Sequence, residues 1–155
     1  MTAYAWTSEF ALGDEQMDQT HHEFVELVDA VLEAPDDAML QCVDRLIAHT
    51  EVHFEEESRR MRATEFPPIH CHENEHAEVL AAVVEARGYI ADGKYKVGRV
   101  LAQELVNWFA GHVDFMDKVL ADWLKRAPEE RGAFAGCAPA GAAGCHPEAD
   151  SACGS

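Results

Sequence analysis

Apolar residues recur along most of this chain at steps of three and four, the spacing that lines one face of an α-helix. The first such run predicts a helix from about Asp14 to Glu33, with Met17, His21, Phe24, Val28 and Val31 on its inward seam. Pro35, Asp36 and Asp37 end that helix and open the next, because proline and acidic residues suit a first helical turn. The second seam is Met39, Val43, Leu46, Thr50, His53 and Glu57, and its pattern breaks near Phe66, Pro67 and Pro68. A third run, His72, His76, Val79, Val83, Ala86 and Ile90, closes at Asp92 and Gly93. The fourth, from about Tyr95 to Arg126, carries Leu101, Leu105, Trp108, His112, Phe115 and Val119 inward. Four helices of roughly 20 to 30 residues with short joints pack side by side and antiparallel. The expected fold is therefore all-α, an up-down-up-down four-helix bundle behind an irregular N-terminal arm that holds Trp6, Phe10 and Gly13.

The helical period stops at about Arg126. From Pro128 onward alanine, glycine, proline and cysteine dominate, with Phe134 as the one large apolar exception. The expected organisation is a bundle over 1–126 and a flexible appendage over 127–155.

Composition narrows the partners. The chain has 155 residues, which fits one domain with a substantial core. It carries 29 acidic against 12 basic residues, a net charge of −17, and a surface of that sign repels nucleic acid and anionic membrane. No apolar run approaches the ~20 residues of a membrane span. Between Met1 and Asp14 no basic residue precedes an apolar stretch, so no secretory signal is visible and a cytoplasmic location is expected. The odd count of five cysteines argues against a closed disulfide framework and for thiols.

Polar residues on the inward seams carry the chemistry. A single histidine on an apolar face is ordinarily a hydrogen-bonded core residue. Here His21, His53, Glu57, His72, His76 and His112 all fall on seams, and Asp117 lies slightly off one. The i, i+4 steps His53 to Glu57 and His72 to His76 set each pair on one helix face, one turn apart. Burying five imidazoles and two carboxylates at one level of a small bundle is costly without compensation, and a pair of metal ions is the most economical compensation. Imidazole with carboxylate and no thiolate suits iron, zinc or manganese. Seven protein ligands do not close two six-coordinate ions, so at least one position is left to water or an external ligand. His112 and Asp117 are five residues apart, about 140° from eclipsed on a straight helix. Either that helix widens locally in a π-type turn or Asp117 reaches in from the flank.

These residues, in order and spacing, resemble the hemerythrins, in particular their single-domain bacterial members. The likeness covers roughly Trp6 to Leu124 and rests on Asp18-Gln-Thr-His21, His53-Phe-Glu-Glu-Glu57, His72-x-x-x-His76 and Trp108-Phe-Ala-Gly-His112-x-x-x-x-Asp117. The resemblance implies two iron ions joined by an oxo or hydroxo bridge. It assigns His72, His76 and His112 to one iron, His21 and His53 to the other, and Glu57 and Asp117 to both. Dioxygen would bind reversibly at the two-histidine iron, drawing two electrons from the pair, with no side chain acting as catalyst. Oxygen carriage, storage or sensing is then the expected role. A di-iron enzyme acting on peroxide, nitric oxide or dioxygen is the alternative, and a structural bundle with unrelated histidines is a third.

Phe24, Phe54, Phe109 and Val113 flank the ligand positions and are expected to form a dry ligand pocket. Of the histidines outside the pattern, His22, His49, His70 and His146, His49 lies one turn before His53 and is expected nearest the site. His22 and Ser58 depart from what many hemerythrins carry, without touching a ligand. Cys137, Cys145 and Cys153 are expected to be incidental cysteines of a disordered tail. Both gaps of seven residues match no standard zinc spacing, which favours that reading over metal binding, a redox-sensitive disulfide or a redox or protein partner.

Overall fold

A computed structural model describes residues 3–132. The chain forms α1 (Glu15–Glu33), α2 (Asp36–Ala63), α3 (Ile69–Ala91) and α4 (Lys96–His112). A π-type turn (Val113–Asp117) then leads into α5 (Lys118–Lys125), and α6 (Pro128–Gly132) follows after a short break. Helix α1 packs against α2 and α4, and α3 against α2 and α4, so the four long helices close a ring in chain order. This is the expected four-helix bundle.

The joints are set by local chemistry. Asp14 caps α1 by accepting the Met17 N–H at 3.0 Å, while both its oxygens also take Arg60 of α2, at 2.9 and 2.6 Å. Helix α3 ends where Gly93 takes a φ of 84°, which lets the Lys94 N–H reach back to the Tyr89 carbonyl. The N-terminal arm lies along the bundle: Tyr4 N–H donates to Asp29, Leu12 and Gly13 donate to Asp18, and Phe10 packs on Phe109 with ring centres 5.2 Å apart.

The seams of α1 and α2 bury as expected, from Met17 to Val31 and from Met39 to Glu57. On α3, Val79 is half-buried and the rest of the seam is buried. The fourth seam needs correction. Phe115 and Val119, expected inward, are 80% and 49% exposed. The π-type turn inserts one residue after His112, so the inward face passes to Val113, Asp117, Leu120 and Ala121. Beyond Arg126, where no helix was expected, Pro128–Gly132 forms a five-residue helix opened by proline and two glutamates.

Cys42 keeps a free thiol but Cys71 is disulfide-bonded, so the expectation of thiols does not hold there. The expectations for Cys137, Cys145, Cys153, Phe134 and His146 fall outside the described residues. No helix among the described residues is long and apolar enough to cross a membrane.

Two apolar clusters divide the interior. The larger runs through Phe24, Val28, Met39, Leu46, Val83, Ile90, Leu105 and Phe109. The smaller, Met17, Met61, Phe66, Leu120, Ala121 and Trp123, closes the end where α2 turns into α3. The polar residues of the four seams lie in a layer bounded by both.

Candidate metal centre

All seven predicted residues are buried, none more than 3% exposed. They converge as two groups that share Glu57: His72, His76, His112, Glu57 and Asp117 in one, and His21, His53 and Glu57 in the other. Antiparallel packing brings them level, because His21 and His72 stand near the starts of α1 and α3 while His53 and His112 stand near the ends of α2 and α4. Asp117 reaches the same level only through the π-type turn, which decides between the two alternatives the five-residue step left open.

Every imidazole turns its Nε2 inward. The Nε2 atoms of His72 and His76 are 3.1 Å apart, and those of His76 and His112 3.0 Å. Two ligands at right angles on a common ion stand about 3.0 Å apart when each bond is about 2.1 Å, the length for imidazole nitrogen. The carboxylates continue the figure. Glu57 Oε2 lies 3.2 Å from His72 and 3.4 Å from His76, and Asp117 Oδ1 lies 3.2 Å from His72 and 3.1 Å from His112. Their other oxygens face the second group: Glu57 Oε1 is 2.9 Å from His53 and 3.3 Å from His21, and Asp117 Oδ2 is 3.2 Å from His21. Each carboxylate thus divides its two oxygens between the groups, the arrangement that lets one side chain bridge two ions.

Hydrogen bonding leaves part of the cluster unsatisfied. Both Asp117 oxygens and Glu57 Oε2 are buried without a hydrogen-bond partner, although imidazole nitrogens stand 3.1 to 3.4 Å away. Buried carboxylate lone pairs left open in this way fit cations. The donor set of imidazole and carboxylate suits iron, zinc or manganese.

Electrostatics agree. Burial works against charge on His21, but Asp117 and Glu57 outweigh it and push the pKa up to about 9. At His112 burial is likewise overcome, by Asp117 and then Glu75, and the value rises to about 10. Burial, with His72 and His112 close by, pulls His76 down to about 2. Burial also opposes ionisation of Glu57 and Asp117, yet the surrounding imidazoles hold both well below the usual carboxylate range. The two carboxylates thus favour protons on His21, His72 and His112, and these histidines favour the charged form of the carboxylates.

The expected pocket residues divide between the groups. Phe109 meets His21 edge-on with ring centres 5.4 Å apart, Phe24 meets His53 at 6.1 Å, and the two phenylalanines touch each other at 5.0 Å. Val113 is buried in the same apolar cluster. Phe54 stacks flat on His76, centres 3.7 Å apart, and so belongs mainly to the three-histidine side. A crevice lined by Gln16, Thr20, Glu56 and Arg60 reaches His53 and Glu57, and a groove lined by Glu51, Ser58, Glu73 and Leu80 reaches Phe54 and His76. The roomier hollow around Trp6, Asp18 and His22 touches none of the seven.

His49 is half-buried with its ring 5.9 Å from His53, and its Nε2–H donates to the Thr20 carbonyl at 3.2 Å. His22 and His70 are not buried. One contact was not anticipated. Glu75 lies 2.9 Å from His112 Nδ1 and accepts the Trp108 indole N–H at 3.1 Å. The His112 contact, chiefly, holds the Glu75 carboxyl below its usual range. Its position one residue before His76 gave the only hint in the sequence.

Comparison with known proteins agrees with this geometry. Crystal structures of two hemerythrin mutants and of one further protein described as a leucine-to-phenylalanine mutant superpose with a TM-score of 0.75, covering 81% of this chain and all of theirs at 19 to 20% identity, which speaks for the fold. A protein from Ralstonia nicotianae named bacteriohemerythrin is 46% identical over 132 residues, 84% of this chain and 96% of that one. The family described as the hemerythrin HHE cation binding domain matches residues 12–124, the span that holds every residue of the two groups. A cation-binding profile and a converged histidine–carboxylate layer thus meet in one stretch of sequence, and the chain belongs to the hemerythrin family.

Proposed function

We propose that the chain binds dioxygen reversibly at a di-iron centre. In this reading His72, His76 and His112 hold one iron, His21 and His53 hold the other, and Glu57 and Asp117 bridge them. The single observation that carries it is the unequal division of histidines around two carboxylates that face both groups: three in one group, two in the other. A six-coordinate ion in the smaller group keeps room for an external ligand. Iron held by these seven residues would supply the electrons that reversible dioxygen binding needs.

The protein's own part is to orient and to exclude. Glu57 and Asp117 fix the separation of the two subsites. Phe24 and Phe109, each about 1% exposed, cover His53 and His21 with hydrocarbon. The Gln16 amide donates to Glu56 at 2.6 Å beside the crevice over His53.

The test is an anaerobic reduction and reoxygenation titration that follows the visible spectrum together with iron per chain. Two irons with charge-transfer bands that appear with oxygen and vanish on its removal support the proposal. Rapid one-way conversion to the diferric form replaces it with an enzyme acting on dioxygen, peroxide or nitric oxide.

A further inference from the structure

We propose that Glu75 is a positioning residue for His112 and, through that imidazole, sets the electron richness of the three-histidine subsite. The inference rests on the proposed role of His112 as a ligand and adds a residue outside the seven.

The observation behind it is an asymmetry among the five histidines. The Nδ1 atoms of His21, His53, His72 and His76 are buried without a hydrogen-bond partner. His112 alone has a carboxylate there, with Glu75 at 2.9 Å. Because His112 Nε2 stands among the Nε2 atoms of its group, Nδ1 carries the proton and donates it to Glu75. That contact fixes the tautomer and the ring plane, and a full negative charge behind an imidazole makes its other nitrogen a stronger donor.

Glu75 is itself held. The Trp108 indole N–H donates to the same oxygen at 3.1 Å, and the indole lies nearly flat on the His112 ring, centres 4.5 Å apart at 23°. Trp108 and His112 are one turn apart on α4, whereas Glu75 comes from α3, so the three side chains tie the two helices at the level of the site. The Glu75 side chain is 31% exposed. It is therefore a point where the buried layer meets solvent.

The experiment compares the iron-loaded native chain with Glu75→Gln, Glu75→Ala and Trp108→Phe, measuring iron affinity and, by spectroelectrochemistry, the reduction potential of the pair. Glu75→Gln keeps a hydrogen-bond acceptor of the same shape and loses only the charge. It is expected to retain two irons, to shift the potential upward and to slow autoxidation several-fold. Glu75→Ala also loses the acceptor, and iron affinity is expected to fall about 10- to 100-fold. Trp108→Phe, which frees Glu75 from one of its two donors, should fall between them. A Gln variant with native potential and native affinity overturns the proposal, because a merely structural contact moves neither. The two readings fail separately: a native chain that holds two irons without releasing oxygen sinks reversible binding, while a potential shift in Glu75→Gln still upholds the role of Glu75.

Discussion

The two buried carboxylates do different work from their neighbours in sequence. Glu57 presents an oxygen to each histidine group, whereas Ser58, the next residue, lines the groove that reaches His76. Glu57→Gln is therefore expected to lower iron to well under two per chain, and Ser58→Ala to leave it unchanged. Equal iron content in the two variants, by metal analysis, would remove Glu57 from the bridge. The protons of the metal-free state give a second prediction. His21 and His112 have pKa values raised from 6.5 to about 9 and about 10. The stability they contribute is complete below about 6.5 and is lost as pH rises through those values. The metal-free bundle should thus lose melting temperature toward alkaline pH. Loading it at about pH 8 should release protons, measurable with an indicator dye, since imidazole binds metal only when its Nε2 is bare. Loading without proton release would mean that these histidines stay outside the site.

Among the elements, α4 and its continuation show where a periodic reading of sequence succeeds and where it stops. Three seams could be read directly because regular helices keep their phase, and that was enough to bring five of the seven polar residues to one level. The fourth seam held its phase only up to His112. A π-type turn has no hydrophobic signature of its own, so steps of three and four carried Phe115 and Val119 to the inside, although Asp117 at five residues already hinted at the widening. Phe115→Ser should therefore alter stability by no more than about 0.5 kcal/mol. Leu120→Ala, in the small end cluster, should cost about 2 to 5 kcal/mol. Urea melts compare the two, and a large loss at Phe115 would restore a straight helix. Glu75 was illegible for another reason: its partner stands on α4, and only the packing of α3 against α4 reveals it. The split of the phenylalanines was hidden likewise, since Phe54 turns to His76 across α2 and α3.

For the whole molecule, the polar layer is a weak plane between two apolar clusters unless cations fill it. Removing metal leaves two carboxylates and several imidazoles at one level in a chain already at −17. A tightly bound ion at 100 times its dissociation constant adds about 2.7 kcal/mol. Iron-loaded protein is expected to melt several degrees higher than the chelator-treated protein. Scanning calorimetry with and without a chelator checks this, and identical melting temperatures would mean that the layer is content without metal.

The four long helices contribute His21, His53, His72 and His112 in turn, and the last residue of the layer, Asp117, follows them all. A nascent chain therefore cannot complete the site while any helix is missing, however well the earlier ones have formed. On the proposed di-iron reading, acquisition of the second ion would be a checkpoint for finished synthesis: a chain cut short before Asp117 lacks one of the two carboxylates that face both groups, and only a molecule closed along its full circumference would carry the complete cargo.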